Sequence, residues 1–591
     1  MKFPDQHFRI TATACSTAVL LFAAGCSHDI DNARNTNQQA QEISEVATIP
    51  SKPLVTQQPV LSEEVVADMA AVEAASQFGA LRSTAQPLMS MSKQTAADSV
   101  FTTLQEDREN YHAFDDNPLK RASEEPVSTF SIDVDTGSYA NVRRFLNQGQ
   151  WPRTDAVRTE ELINYFDYQY AASDSLDTPF SLTTEVAPSP WNSATHLLHI
   201  GVKGYEQSAA KLPPSNLVFL IDVSGSMNSP DKLGLLKTSL TMLAKQMNAQ
   251  DRIAIAVYAG AAGVVLEPTS GNKNAKIIQA LNQLSAGGST NGGAGIQLAY
   301  QLAAQSYIKG GINRVIVATD GDFNVGTVNF EALTELVEQQ REKGIALTTL
   351  GFGSGNYNDH LMEQLADVGN GNYAYIDSVK EAHKVLVEER ASTLMTIAKD
   401  VKIQIEFNPA QVAEYRLIGY ENRTLAREDF NNDKVDAGDI GAGHSVTAIY
   451  EITLVDSDYR AIEPLRYGDS QPQSDPSSEL AFLRLRYKKP DENQSRLIER
   501  PIDRAQIATD LQSSSENFRF AAAVSAFGQT LRGGQYLHDF DYADIRKLAG
   551  SARGADRFGY RGEFLQLLGV AAAIDPRGPL SQVENASEDA S

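Results

Sequence analysis

A chain of 591 residues with 42% hydrophobic content can build more than one core, and domains of about 100 to 200 residues suggest roughly three plus tails. The formal net charge of −24 repels nucleic acid and anionic headgroups, so no nucleic-acid partner is expected. Cys15 and Cys26, the two cysteines, both lie in the first 26 residues, which leaves the folded part without a disulfide or a thiolate metal site.

The first elements in chain order are an export signal and a tether. Lys2 and Arg9 form a short basic region, ITATACSTAVLLFAAG is apolar, and small residues precede Cys26. That apolar segment is too short for a membrane span. AAGC, residues 23 to 26, resembles the lipobox of bacterial lipoproteins, although Ala23 stands where leucine is usual. The resemblance implies a signal peptide over residues 1–26, a lipidated Cys26 and attachment to a membrane, with ordinary secretory cleavage near Cys26 as the alternative. Ser27, in place of aspartate, implies sorting to the outer membrane. Residues 27–124 are rich in Gln, Ala, Ser and Glu with few aromatics, and are expected to be a disordered tether.

Folded sequence is expected from 125. VSTFSIDVDTGSYANVRRFLNQG suggests a strand and then a helix from Tyr139, and FSLTTEVAP and HLLHIGVKG suggest two more strands in a small α+β region over 125–213. From 214 to 395 strands and helices alternate. LVFLID, RIAIAVYA, RVIVAT and IALTTLGF are near-continuous apolar runs of the kind buried on both faces of a parallel sheet. Leu233, Leu236, Leu240, Leu243 and Met247 share one helical face, Ile277, Leu281 and Leu284 mark a second helix, and Phe330, Leu333 and Val337 a third. The pattern predicts an α/β fold, a doubly wound, mostly parallel sheet. A helix over 378–400 is expected to close it. VKIQIEF, VTAIYEI and LAFLRLRYKK then predict a β-sandwich-like region, followed by helices at NFRFAAAVSAFGQTLRG, DYADIRKLAG and FLQLLGVAAAI, so that 396–575 is β-rich and helical and 576–591 a disordered tail.

Ligands of such sheets bind at the carboxyl ends of the strands. The stretch NLVFLIDVSGSMN places Asp222, Ser224 and Ser226 there, GGSTNGGAGI adds Thr290 in a glycine-rich turn, and VIVATDGD adds Asp320 at another strand end. Two carboxylates and three hydroxyls are hard oxygen ligands suited to Mg²⁺ or Mn²⁺. Helix capping by the two serines is the plain alternative, but it leaves two aspartates facing each other uncompensated.

D-x-S-x-S at 222–226, the threonine and T-D-G at 319–321 resemble the metal-ion-dependent adhesion site of von Willebrand factor type A domains. By that resemblance Ser224, Ser226 and Thr290 bind the ion, with Asp222 and Asp320 partly acting through water, and a protein partner supplies a carboxylate. FSIDVDTGSYANVRRFLNQGQWP, RTEELINYFDY, KIQIEFNPAQVAEYRLIGYENR and DAGDIGAGHSVTAIYEI look like the flanking regions of bacterial YfbK-like von Willebrand factor type A lipoproteins, over roughly 125–575.

Two other motifs are weaker. SIDVDTGS, with Asp133, Asp135 and Thr136, approaches a phosphatase nucleophile loop, but Gly137 breaks the pattern and a strand end is the expected reading. In EDFNNDKVDAGDIGAGH, Asp429, Asn431 and Asp433 alternate as in a calcium loop, yet Lys434 stands at the glycine position and a hairpin turn is expected. The expectation is therefore a non-enzymatic envelope lipoprotein that binds a protein through a cation. A metal-assisted phosphatase and a metal-independent scaffold are the alternatives.

Overall fold

The computed structural model describes residues 108–289, 292–321, 330–463 and 477–578. Cys26, Thr290 and the 576–591 tail beyond Gly578 lie outside them, as do residues 27–107 of the expected tether.

The apolar runs form strands β1 (Ser215–Asp222), β2 (Arg252–Tyr258), β4 (Ile312–Thr319) and β5 (Ala346–Phe352), joined by β3 (Ala262–Ser270) and β6 (Tyr373–Ile376) in one sheet of order β6-β5-β4-β1-β2-β3. Every neighbouring pair is parallel except β2 with β3, which is antiparallel and lies at the edge. An edge strand tolerates the missing N–H of Pro268. Leu217, Phe219 and Ile221 pack into one core with Leu236, Leu240 and Leu243, while Val218 and Leu220 face the opposite core with Ile296, Ala299 and Val317. Each of the larger of these side chains, leucine, isoleucine, valine or phenylalanine, contributes about 1.5 to 3 kcal/mol by leaving water. The α/β doubly wound reading of 214–395 is thus the observed architecture. β3 and β6 are the two strands not anticipated.

Around this sheet lie two antiparallel sheets and a helical bundle. One sheet runs Lys120–Arg121, Val412–Ile418, Ser445–Leu454, His196–Gly204, Phe180–Pro188; the other runs Gly438–Gly441, Thr396–Phe407, Glu479–Lys488, Arg496–Asp503, with Val127–Ser131 also paired to Thr396–Phe407. Phe130, Ile200, Ile403, Phe407 and Tyr450 fill the space between them. Helices Glu516–Leu531, Tyr542–Ser551 and Tyr560–Ile574 share a core with Tyr139, Leu162 and Phe166. Segments before and after the central sheet therefore interleave: Val446 pairs with Val202 and Ile403 with Phe130.

Three expectations need correction. Residues 108–124 are part of the folded body, because Asn110 bridges to Asn358, Asp116 ion-pairs with Arg532 at 2.6 Å and Lys120–Arg121 pairs with Tyr415 and Glu414. A polar composition hides partners some 250 to 400 residues away. The helix placed at 378–400 stops at Leu394, and Thr396 opens the long strand that includes Asp400, whose positive φ of 51° falls where the strand's register shifts. Finally, in place of a hairpin, Arg427–Asn431 forms a short 3₁₀ helix, and Asp433 in the turn after it pairs with Arg486 at 3.2 Å.

Candidate metal centre at the carboxyl edge of the central sheet

β1 ends on Asp222, which is fully buried. Its Oδ1 accepts from the Ser224 amide at 2.8 Å, and its Oδ2 accepts from Thr319 Oγ1 at 2.9 Å and Tyr258 Oη at 3.2 Å. The adjacent strands β4 and β2 supply those two hydroxyls, so the sheet itself fixes the carboxylate. Burial pushes the Asp222 carboxyl above its usual range, hydrogen bonds from Ser224 oppose this, and the nearby Asp320 charge adds to the rise. A positive ion at the site would reverse that tendency.

Beyond Asp222 the chain turns through Gly225–Met227. Ser224 Oγ lies 3.0 Å from Ser226 Oγ; Ser224 is buried and Ser226 exposed, and Ser224 makes no side-chain cap to the turn. The capping alternative is therefore not what the Ser224 hydroxyl does. Adjacent ligands of an octahedral ion with bonds of about 2.0 to 2.1 Å are about 2.9 Å apart, so the serine pair has the spacing of one octahedral edge. The glycine-rich turn is fastened to the same loop: Gly225 N donates to Gly288 O at 3.1 Å and Gly287 N to Val223 O at 2.7 Å. Thr290 follows two residues later, outside the described residues.

Asp320 follows β4 directly and is fully buried. Gly321 next to it has φ +85°, and a Cβ there would come 2.4 Å from Asn358 N, so glycine is required for the close turn. Asp320 Oδ2 accepts from Lys232 Nζ at 3.0 Å and Asn356 Nδ2 at 3.3 Å. Four of the five anticipated residues therefore gather at one edge, and their hard oxygens suit a divalent cation. Tyr258, Lys232 and Asn356 were not anticipated, nor was the bond from Thr319 to Asp222. Asn356 lies in GFGSGN, the glycine-rich loop that follows β5.

That loop is itself strapped down. Arg108 N donates to Gly355 O at 2.9 Å, Asn110 N to Tyr357 O at 2.8 Å, and Gly355 N to Glu109 Oε1 at 2.8 Å. Glu109 is in turn paired with Arg144 at 2.8 Å.

The SIDVDTGS aspartates lie elsewhere, in a buried junction. Carboxylate oxygens of Asp133, Glu161 and Glu363 come within 4.8 Å of one another. Arg423 bonds to Asp133 at 3.1 Å and Glu363 at 2.8 Å, while Arg158 pairs with Glu161 and, at 2.6 Å, with Asp359. Asp135 Oδ1 accepts from the Tyr373 amide at 2.9 Å. Burial lifts the Asp135 and Glu160 carboxyls well above their ordinary range, and carries Glu161 to about 8 against the pull of Arg158. Aspartates sealed by arginine and amide donors do not form a nucleophile loop, in agreement with the strand-end reading.

Comparison with known proteins places these features in a family. The von Willebrand factor type A domain matches residues 216–388, a von Willebrand factor family matches 105–199, and the C-terminal family of the uncharacterized protein YfbK matches 392–574. YfbK of Escherichia coli K12 is 49% identical over 472 residues, 78% of this chain and 81% of that protein. The chain belongs to the YfbK family of bacterial von Willebrand factor type A proteins. Inter-alpha-trypsin inhibitor heavy chain H3 of Mesocricetus auratus is 24% identical over 266 residues, 42% of this chain and 29% of that protein. A von Willebrand factor type A structure from Catenulispora acidiphila is 15% identical with a TM-score of 0.35, covering 67% of this chain and 91% of its own.

Proposed function

We propose that this chain is a lipid-anchored envelope protein that holds a protein partner through Mg²⁺ or Mn²⁺ bound by Asp222, Ser224, Ser226, Thr290 and Asp320. The observation that carries the reading is the serine pair at 3.0 Å, part-exposed and set beside Asp222 at the strand edge. A cation bound there offers an unfilled coordination position to a partner's carboxylate. The chain's own contribution is to orient Asp222 through Thr319 and Tyr258 and to present Ser226 outward. The groups gathered at the edge are ligands rather than a poised general base, which favours binding over metal-assisted hydrolysis. Membership of the von Willebrand factor type A group supports a role in protein interaction.

Binding to the folded chain raises its stability by about 2.7 kcal/mol at a hundredfold excess over Kd. Thermal melting of the full chain with Mn²⁺ is expected to show this in wild type and to lose it in Asp320→Ala. Equal shifts in both would remove the assignment. In envelope extract, a partner kept by Mg²⁺, released by chelator and absent from Asp320→Ala supports adhesion; capture that ignores chelator favours the scaffold, and turnover of a phosphate ester favours the hydrolase. Anchoring through Cys26 to the outer membrane is read from AAGC and Ser27. Mass spectrometry of the mature N-terminus, in wild type and Cys26→Ala, tests it, and an unmodified wild-type terminus discards it.

A further inference from the structure

The proposed centre already contains a cation supplied by the chain. Lys232 lies in the turn Pro230–Gly234, ten residues beyond Asp222, and is 8% exposed. Its ammonium donates to Asp320 Oδ2 at 3.0 Å and to Asn356 Oδ1 at 3.0 Å. Its stem runs across Gly353, where a Cβ would come 2.3 Å from Lys232 Cε and φ is +76°. Any side chain at that position would displace the lysine. Asn356 holds the ammonium and the carboxylate at once, and the strap from Arg108 to Asn110 holds the loop that carries Asn356. Surface lysines sample many rotamers; this one is clamped on three sides.

A fixed positive charge on one ligand of a cation site has a definite electrostatic effect. Charge that Asp320 spends on Lys232 is not available to a second cation, and the two positive charges repel in a partly desolvated setting. We propose that Lys232 is a positioning residue that, by engaging Asp320, weakens the intrinsic affinity of the site for its divalent ion and leaves the ion correspondingly dependent on a carboxylate from outside. The inference rests on the metal-centre reading above and adds to it the residue that sets its strength. Lysine suits this role because its compact ammonium acts as a point charge on one oxygen, where arginine would engage both oxygens of the carboxylate.

The test is Mn²⁺ titration of the full chain by calorimetry, with no partner present, in wild type, Lys232→Met, Lys232→Gln and Asp320→Ala. Methionine keeps the unbranched stem over Gly353 without the charge, and glutamine keeps a polar end should methionine fail to fold. Both are expected to bind Mn²⁺ at least about tenfold more tightly than wild type, a change of about 1.4 kcal/mol, and Asp320→Ala to bind more weakly. Lys232 variants that bind Mn²⁺ equally or less well, beside a wild type that binds it, overturn the inference and leave the metal centre standing. Absence of Mn²⁺ binding in wild type and in both Lys232 variants overturns the metal centre, and the inference falls with it.

Discussion

Two of the places where buried carboxylates gather neutralise them in different ways. At the junction, Asp133, Asp359 and Glu363 are each bonded by Arg158 or Arg423 and are sealed from solvent. At the sheet edge, Asp222 and Asp320 meet hydroxyls, amides and one lysine, and Ser226 opens outward. Arginine stays charged, forks onto carboxylates and is weakly hydrated, so it suits a permanent interior bond. Hydroxyls carry no charge of their own and leave room for a visiting ion. The same acidic chemistry thus closes one region and leaves the other open to solvent at Ser226, and arginine against hydroxyl makes the difference.

Breaking the closed region should give the largest effect. Arg423→Met leaves Asp133 and Glu363 buried without their main donor, and a loss of about 3 to 5 kcal/mol is expected in denaturant unfolding. A loss below about 1 kcal/mol would mean that the junction is not closed by arginine. At the open edge, Thr319→Val removes one of the hydroxyls on Asp222 Oδ2, and about 1 to 3 kcal/mol is expected. If Thr319→Val melts like wild type, Asp222 is not held by the sheet.

A third measurement sharpens the contrast through pH. Glu161 has its carboxyl raised to about 8 in the fold, above an unfolded value of about 4.3. The folded state therefore binds the extra proton, so this contribution is fully present below the unfolded value and is lost as pH rises towards 8. Stability is expected to decline as pH rises through that window, and Glu161→Gln to flatten the profile. A wild-type curve that rises from pH 5 to 8 would contradict it. The smallest effect is expected on the surface: Arg496→Ala breaks an exposed i,i+4 pair with Glu492 and should leave the unfolding curve unchanged in the same assay.

Much of the edge site was legible because its residues sit at fixed offsets from apolar strands: LVFLI must be a buried strand, and Asp222, Ser224 and Ser226 follow it. Lys232 was not legible, since a lysine at the start of an amphipathic helix ordinarily faces solvent and only the folded loop at Gly353 shows where its stem runs. Strand periodicity likewise marks FSLTTEVAP and the middle of the strand Ser445–Leu454, yet it carries no pairing information across the long intervening chain. That is why Val202 against Val446 could not be read ahead of the structure. The helix end at Leu394 was missed because Thr396 and Ile397 continue an apolar pattern that serves helix and strand equally.

The strap at Arg108–Asn110 gives the chain a mechanical arrangement. Tension applied to the polypeptide ahead of Arg108 is delivered first to the bonds with Gly355, Tyr357 and Asn358, on either side of the asparagine that grips Lys232 and Asp320. Force entering at the C-terminal end, after the helix Tyr560–Ile574, meets the helical bundle before it meets that loop. The two ends are therefore unequal handles. Pulling from residue 107 should shift Mn²⁺ occupancy at forces that leave it unchanged when the handle is placed at 578, and equal responses from both would show that the strap transmits no load.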